Sequence, residues 1–182
     1  MTSPGTVAGD ERLRLFLALQ LPDEVRDVLV RWGEEHLSGG RRIGREDLHI
    51  TLAFLGRRPA GELPAIVAAL RDAATAAEPI TLTPAGWRET RSVGMVVLDD
   101  PDAGSIRLAQ RLHGELESLG VYQREARPWL PHVTVLRFRT RPRLSPPLPE
   151  TGTFVPSAAA AYLSRLHPSG ARYEVLESVS LA

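Results

Sequence analysis

Two histidines, His49 and His132, each stand at the head of a short apolar run. Each is followed two residues later by threonine, in "HITLAFLG" and "HVTVLRFR". Successive side chains of a strand point to opposite faces. His49 and Thr51 therefore share one face, and Leu48, Ile50, Leu52 and Phe54 share the other. In the second run His132 and Thr134 lie on one side, Val133 and Val135 on the other. Threonine is ordinary strand chemistry, and a single histidine at a strand start is more often a surface or satisfied core residue. Two such pairs are different. A hydrated cleft lined by two imidazoles and two hydroxyls suits phosphoryl chemistry. One imidazole, neutral, can take a proton from water, and the other, protonated, can give one to a leaving oxygen. An ordinary histidine pKa of ~6.5 allows both states near neutrality. The threonine hydroxyls can donate to nonbridging phosphate oxygens, each such donor being worth roughly 10²–10³ in rate.

The flanks carry positive charge. Arg41, Arg42, Arg45, Arg57 and Arg58 surround the first motif, and Arg124, Arg127, Arg137, Arg139, Arg141 and Arg143 the second. Acids lie largely elsewhere, as in "LDDPD", so a neutral chain can hold a locally basic cleft. Arginine runs are also common in solvated loops. His36, His113 and His167 fall in two expected helices and a turn and are read as structural. The chain has no Walker-type loop, no G-x-G-x-x-G and no G-x-S-x-G. Two histidines could bind zinc, but H-E-x-x-H is absent and no histidine–carboxylate cluster is evident. The residues favour metal-free acid–base work over a zinc site.

The elements that must position these residues follow from periodicity and punctuation. "RLRLFLALQLP" reads as a buried strand ending at Pro22. A helix follows, with Asp23 and Glu24 in its first turn and Val25, Val28, Leu29 and Trp32 on one face. "SGGRRIGRED" reads as a basic loop, and the first His-x-Thr strand ends at Gly56. "AGELPAIVAALRDAATAA" is helical. "ITLTPAGW" and "SVGMVVLDD" read as paired strands. "DAGSIRLAQRLHGELESLG" is a helix with Ile106, Leu108, Leu112, Leu116 and Leu119 apolar and Gly120 as its stop. The second His-x-Thr strand, a Pro-rich loop and a hairpin of "AAYLSRL" and "ARYEVLES" complete the chain; "AAAAYL" is equally compatible with helix. A strand–helix–strand unit leads to His-x-Thr in each half, which suggests duplication.

Size and composition bound the rest. With 182 residues, 43% hydrophobic, 24% charged and a formal net charge of +0, the chain is an ordinary globular composition without a global basic field. Residues 1–10 read as a disordered lead and 11–182 as a single bilobal domain. There are no cysteines, so disulfide and thiolate chemistry are excluded. All basic residues are arginine, the better phosphate ligand. The start shows no signal peptide, and "LFLALQL" is far below the ~18 residues of a membrane span. A cytoplasmic monomer is expected.

"HITLAFLG" and "RPWLPHVTVLR" resemble the paired His-x-Thr-x signatures of the two-histidine phosphoesterase superfamily, in its RNA 2',3'-cyclic phosphodiesterase (2'-5' RNA ligase) branch. "RLFLALQLPDEVR" resembles that family's opening strand and helix, and "YLSRLHPSGARYEVL" its closing hairpin. The resemblance implies a bilobal α+β fold in which two antiparallel sheets form a concave cleft, helices lie outside, and the halves are related by a pseudo-twofold. It implies His49 as proton donor to the leaving 3' oxygen, His132 as the base that activates water, and Thr51 and Thr134 as phosphate holders, with no metal or cofactor. Arg137, Arg127, Arg42 and Trp129 are the substrate-binding candidates. Strict alternation places Arg137 with Val133 and Val135, so a bulge or twist would be needed to bring it to the phosphate. Relatives often carry an aromatic residue where this chain has "RRIGRED". The partner implied is RNA with a 2',3'-cyclic phosphate end. Alternatives are a small cyclic nucleotide of the ADP-ribose type, reversible 2'-5' ligation, or non-catalytic RNA-end binding.

Overall fold

The computed structural model describes residues 11–181, so the expected disordered lead over 1–10 lies outside the described residues. The chain is α+β. One sheet has the order β3-β1-β7-β8 and the other β2-β6-β5-β4, and every pairing is antiparallel. Strand β1 spans Arg12–Gln20, β2 Arg41–Arg42, β3 His49–Pro59, β4 Thr83–Glu89, β5 Val93–Asp99, β6 His132–Arg137, β7 Ala158–Arg165 and β8 Arg172–Val179. The helices are α1 (Asp23–His36), α2 (Leu63–Thr75) and α3 (Gly104–Ser118). The halves exchange material: β2 comes from the first half but joins the second sheet, and the C-terminal β7–β8 hairpin returns to the first.

Apolar periodicity explains the layering. Helices α2 and α3 pack on each other, α2 against β7 and α3 against β3. Helix α1 lies on the other sheet, where Leu29 and the following Leu37 line a groove with Val135 of β6 and Trp32 packs on Trp87 of β4. Leu108, Leu112 and Leu116 of α3 are buried as their spacing requires; Leu119, expected on the same side, is 45% exposed past the last turn. The Asp100 carboxylate accepts from the backbone N–H of Gly104 and Ile106 and from the Ser105 hydroxyl, satisfying donors that the start of α3 leaves open.

Two local readings change and one choice between strand and helix is decided. The basic loop contains β2, whose two residues pair with Arg137 and Leu136. Gly40 permits this approach, because a Cβ there would collide with the Arg137 carbonyl. Strand β3 continues beyond Gly56 to Pro59, with Gly56 at φ 68° still paired to Leu15. The "AAAAYL" segment is strand: β7 lies between β1 and β8 and is buried from Ala158 to Ser164, so tertiary pairing overrides alanine's helical preference.

The decisive departure is a repeated irregularity. Opposite β1, the register jumps from Thr51 to Ala53, leaving Leu52 unpaired. Opposite β5, it jumps from Thr134 to Leu136, leaving Val135 unpaired. Each His-x-Thr strand thus carries one extra residue directly after its threonine, a β-bulge that inverts the alternation beyond it. Phe54, expected among the apolar side chains, is consequently 50% exposed on the face of His49 and Thr51, while Ala53 is buried. Arg137 turns to the cleft by the same device.

Strand β3 is an edge, so its outward carbonyls need donors. The second half supplies them. The buried His113 ring of α3 donates its Nε2–H to the Leu52 carbonyl at 2.7 Å, and the Trp129 indole N–H donates to the Thr51 carbonyl at 3.0 Å. Burial holds the His113 pKa below its ordinary value, although the bond to the Leu52 carbonyl opposes that shift. His113→Phe should lower stability by about 1–3 kcal/mol, the cost of an unpaired buried acceptor, with partial recovery in His113→Gln. Urea unfolding measures this; wild-type stability in the phenylalanine variant would show that the bond does not brace β3.

Candidate active site

The residues that meet on the concave side come from six strands. Gln20 of β1 pairs with His49 and Ala18 with Thr51, so the first motif lies beside the centre of its sheet. Strands β3 and β6 touch across the boundary between sheets. A cavity of about 280 Å³ opens beside His49 and Thr51, and its wall includes Arg137 from β6 and Arg41 from β2.

Both histidines are held in the same way. His49 Nδ1 lies 2.7 Å from the Asp47 carbonyl, and His132 Nδ1 lies 2.8 Å from the Leu130 carbonyl, each two residues upstream. A carbonyl only accepts, so the facing ring nitrogen carries the proton and donates. In the neutral ring Nε2 is then the basic atom. His49 Nε2 meets the Thr51 hydroxyl at 3.0 Å, and the hydroxyl donates to it in that tautomer.

Their surroundings differ. His49 is boxed by Phe16, Tyr173 and Tyr162, with ring centroids 4.9, 5.5 and 5.9 Å away. His132 is half-buried and, among the described residues, has no such aromatic box. Burial pushes the His49 pKa down to about 4; the Asp47 carbonyl opposes this, and the nearby His132, Arg137 and Arg26 add to it. His49 is therefore neutral at pH 7 before any ligand arrives. One negative charge about 4 Å away, at an effective dielectric of ~20, contributes about 4 kcal/mol, or roughly three pKa units. A phosphate bound at Nε2 is thus strong enough to return His49 to the protonated state near neutrality.

The structure brings His49, Thr51 and Arg137 to one cavity; His132 and Thr134 do not line it, although His132 is near enough for its charge to act on His49. The structure does not bring the other candidates there. Arg42 lines a groove on the opposite side, between α1 and β6, because its neighbour Arg41 takes the cleft-facing position of β2. Arg127 is exposed and paired with Glu125. Trp129 commits its indole N–H to the Thr51 carbonyl. Several flanking arginines are engaged elsewhere: Arg45 with Asp27, Arg58 with Glu62, Arg124 with Glu117 and Arg141 with Glu89. Sequence reasoning passed over Arg14, Phe16, Phe54 and Tyr173 as cleft residues. Even-numbered residues of β1 share the face of Gln20, so Arg14 and Phe16 were accessible to a period-two argument; Phe54 was not, because the bulge carries no periodic signal.

The sequence profile of the 2'-5' RNA ligase superfamily matches residues 21–167. The chain is similar to the RNA 2',3'-cyclic phosphodiesterase of Escherichia coli, with 30% identity over 94% of this chain and 98% of that one. It is similar to the RNA 2',3'-cyclic phosphodiesterase of Thermus thermophilus, with 32% identity over 93% of this chain and 90% of the other. In three dimensions it resembles the crystal structure of E. coli LigT complexed with 3'-AMP: TM-score 0.82, 28% identity, 94% of this chain and 99% of that chain covered.

The His49 environment yields a titration. Without ligand, the His49 ring should titrate near pH 4, and saturating sulfate should move it upward. Proton NMR of the ring resolves this; an unmoved or lowered value would exclude anion binding at Nε2. The same shift links to stability. An unfolded histidine protonates near ~6.5 while the folded His49 stays neutral to about pH 4, so stability falls as pH falls through that window.

Proposed function

The chain belongs to the 2'-5' RNA ligase superfamily, and from that premise we propose that it hydrolyses RNA 2',3'-cyclic phosphate ends to 2'-phosphomonoesters by paired histidine acid–base catalysis. One observation carries this reading. Both Nδ1–H groups are tied to backbone carbonyls, which leaves Nε2 as the basic atom of each neutral ring, one on each sheet. Binding alone has no use for two rings held in matched tautomers.

The steps balance with the chain's own groups. His132 Nε2 takes a proton from water as its oxygen attacks phosphorus. The bond from phosphorus to O3' breaks on the opposite side, and His49 Nε2–H⁺ protonates that oxygen. One proton enters at His132 and one leaves from His49, and solvent exchange restores both. The hydroxyls of Thr51 and Thr134 and the guanidinium of Arg137 donate to the nonbridging oxygens, where charge accumulates. Donor acidity and substrate binding are coupled: the bound phosphate raises the pKa of the buried His49. Among the described residues no group of three His, Asp or Glu side chains gathers as metal ligands, and the reading needs none. The strained five-membered ring lowers the demand for a Lewis acid.

Digestion of a short RNA bearing a 2',3'-cyclic end tests the proposal. The product should be a 2'-phosphomonoester by phosphorus NMR, and EDTA should leave the rate unchanged. A 3'-phosphate product would exchange the donor and acceptor labels. His49→Ala and His132→Ala should each lower the rate by about 10²–10⁴. The double variant should lose much less than the product of the two, because both residues act on one transition state. A His132→Ala protein with near-normal turnover would overturn the mechanism.

A further inference from the structure

The cavity beside His49 is larger than a catalytic phosphate needs, and half of its wall plays no part in moving protons. Its volume, about 280 Å³, approaches the ~300 Å³ lower end of small-ligand sites. Three guanidinium groups reach it from three strands: Arg14 from β1, Arg41 from β2 and Arg137 from β6. Among the described residues none of the three forms an ion pair, whereas Arg45, Arg58 and Arg141 each hold a carboxylate. Asp47 feels the charge of Arg41 without pairing to it. The chain has as many acids as bases, 22 of each. Three unneutralised cations converging on one concavity therefore repel each other unless an anion enters.

We propose that Arg14 and Arg41 form a second anion subsite, which receives the phosphate on the 5' side of the cyclic end. The preferred substrate is then a nucleotide end carrying two phosphates, and not a bare nucleoside 2',3'-cyclic phosphate. This rests on the cyclic phosphodiesterase reading above.

Position supports the assignment. Ala18 of β1 lies opposite Thr51, and Arg14 stands four residues further along the same face, about 13 Å of strand. Its guanidinium folds over the Phe54 ring, 5.0 Å from the centroid, so its charge lies back toward the catalytic end. The floor between is aromatic, from Phe16 to Tyr173, and suits a sugar and base linking two phosphates. Arg41 reaches the rim against the β7–β8 turn. Gly170 there has φ 117°, and a Cβ on it would stand 3.1 Å from Arg41 Nη2, so glycine leaves the guanidinium its place. A planar guanidinium grips a phosphate by paired charge-assisted hydrogen bonds.

The test compares kcat/KM for adenosine 2',3'-cyclic phosphate, its 5'-phosphorylated counterpart and a dinucleotide with the same cyclic end. The wild-type protein should prefer the two phosphorylated substrates by roughly 10- to 100-fold, the yield of one or two charge-assisted contacts. In Arg14→Gln and Arg41→Gln the ratio should collapse toward one, each variant being compared with itself. Arg111→Gln, on the outer face of α3, should keep the ratio. A 5'-phosphate as effective as the dinucleotide assigns recognition to a terminal phosphate; preference for the dinucleotide alone assigns it to the RNA backbone. A wild-type ratio near one, or a ratio that both variants leave intact, overturns the subsite. Calorimetry with adenosine 2'-phosphate and adenosine 2',5'-bisphosphate asks the same question without turnover. Inactivity toward all three cyclic substrates would count against the proposed reaction, while the binding ratio would still decide the subsite.

Discussion

An extra residue directly after each motif threonine decides which side chains the cleft receives. Without it, strand alternation would bury Phe54 and Arg137 on the faces that meet the helices. With Leu52 and Val135 unpaired, the third residue after each threonine comes round to the histidine side. The bulge has a structural consequence as well. It sits on an edge strand, and the carbonyls of Thr51 and Leu52 take their donors from Trp129 and His113 of the other half. Trp129 lies only three residues before His132, so the donor that satisfies the first motif's backbone also fixes where the second motif begins.

Much of this frame was legible in the sequence because it rests on short-range rules. Period-two alternation put His49 with Thr51 and His132 with Thr134, and a period near 3.6 with Pro and Gly punctuation gave the three helices. The rest depends on partners distant in the chain. Ala158–Ala161 is strand because β1 and β8 flank it on both sides. Arg41 and Arg42 look interchangeable as letters, yet two residues of pairing with β6 send one into the cleft and the other toward α1. The need for a bulge to recruit Arg137 could be stated from alternation alone; its existence could not, since nothing in "HVTVLR" marks Val135 as unpaired. The same blindness misplaced Phe54.

Electrostatics separates two residues that local geometry makes equivalent. His49 and His132 share the same backbone clasp, but only His49 is packed against Phe16, Tyr162 and Tyr173. An imidazole held near pKa 4 is a poor acid at neutral pH because it is seldom charged. Beside a bound anion the same ring would regain its proton, which is what the proposed donor role requires. Aromatic burial thus makes protonation contingent on ligand, which an exposed histidine would not do.

The two halves diverge where the bulges bring their third residues in. Both motifs present histidine and threonine, and then one presents Phe54 and the other Arg137. A cyclic phosphate end has a matching asymmetry: two ester oxygens of similar chemistry on one phosphorus, with a sugar and base extending to one side only. In the proposed mechanism one proton leaves the attacking water and one reaches the leaving ester oxygen, tasks for which similar groups serve, and the histidines and threonines are alike in both motifs. The third residues differ: Phe54 puts an apolar ring on one side of the cleft, and Arg137 puts on the other the cation that the proposed mechanism sets against the nonbridging oxygens. Because Arg14 lies across the Phe54 ring, the apolar position is itself edged with charge. The two motifs therefore match in histidine and threonine, and the third residue after each threonine gives the cleft a direction.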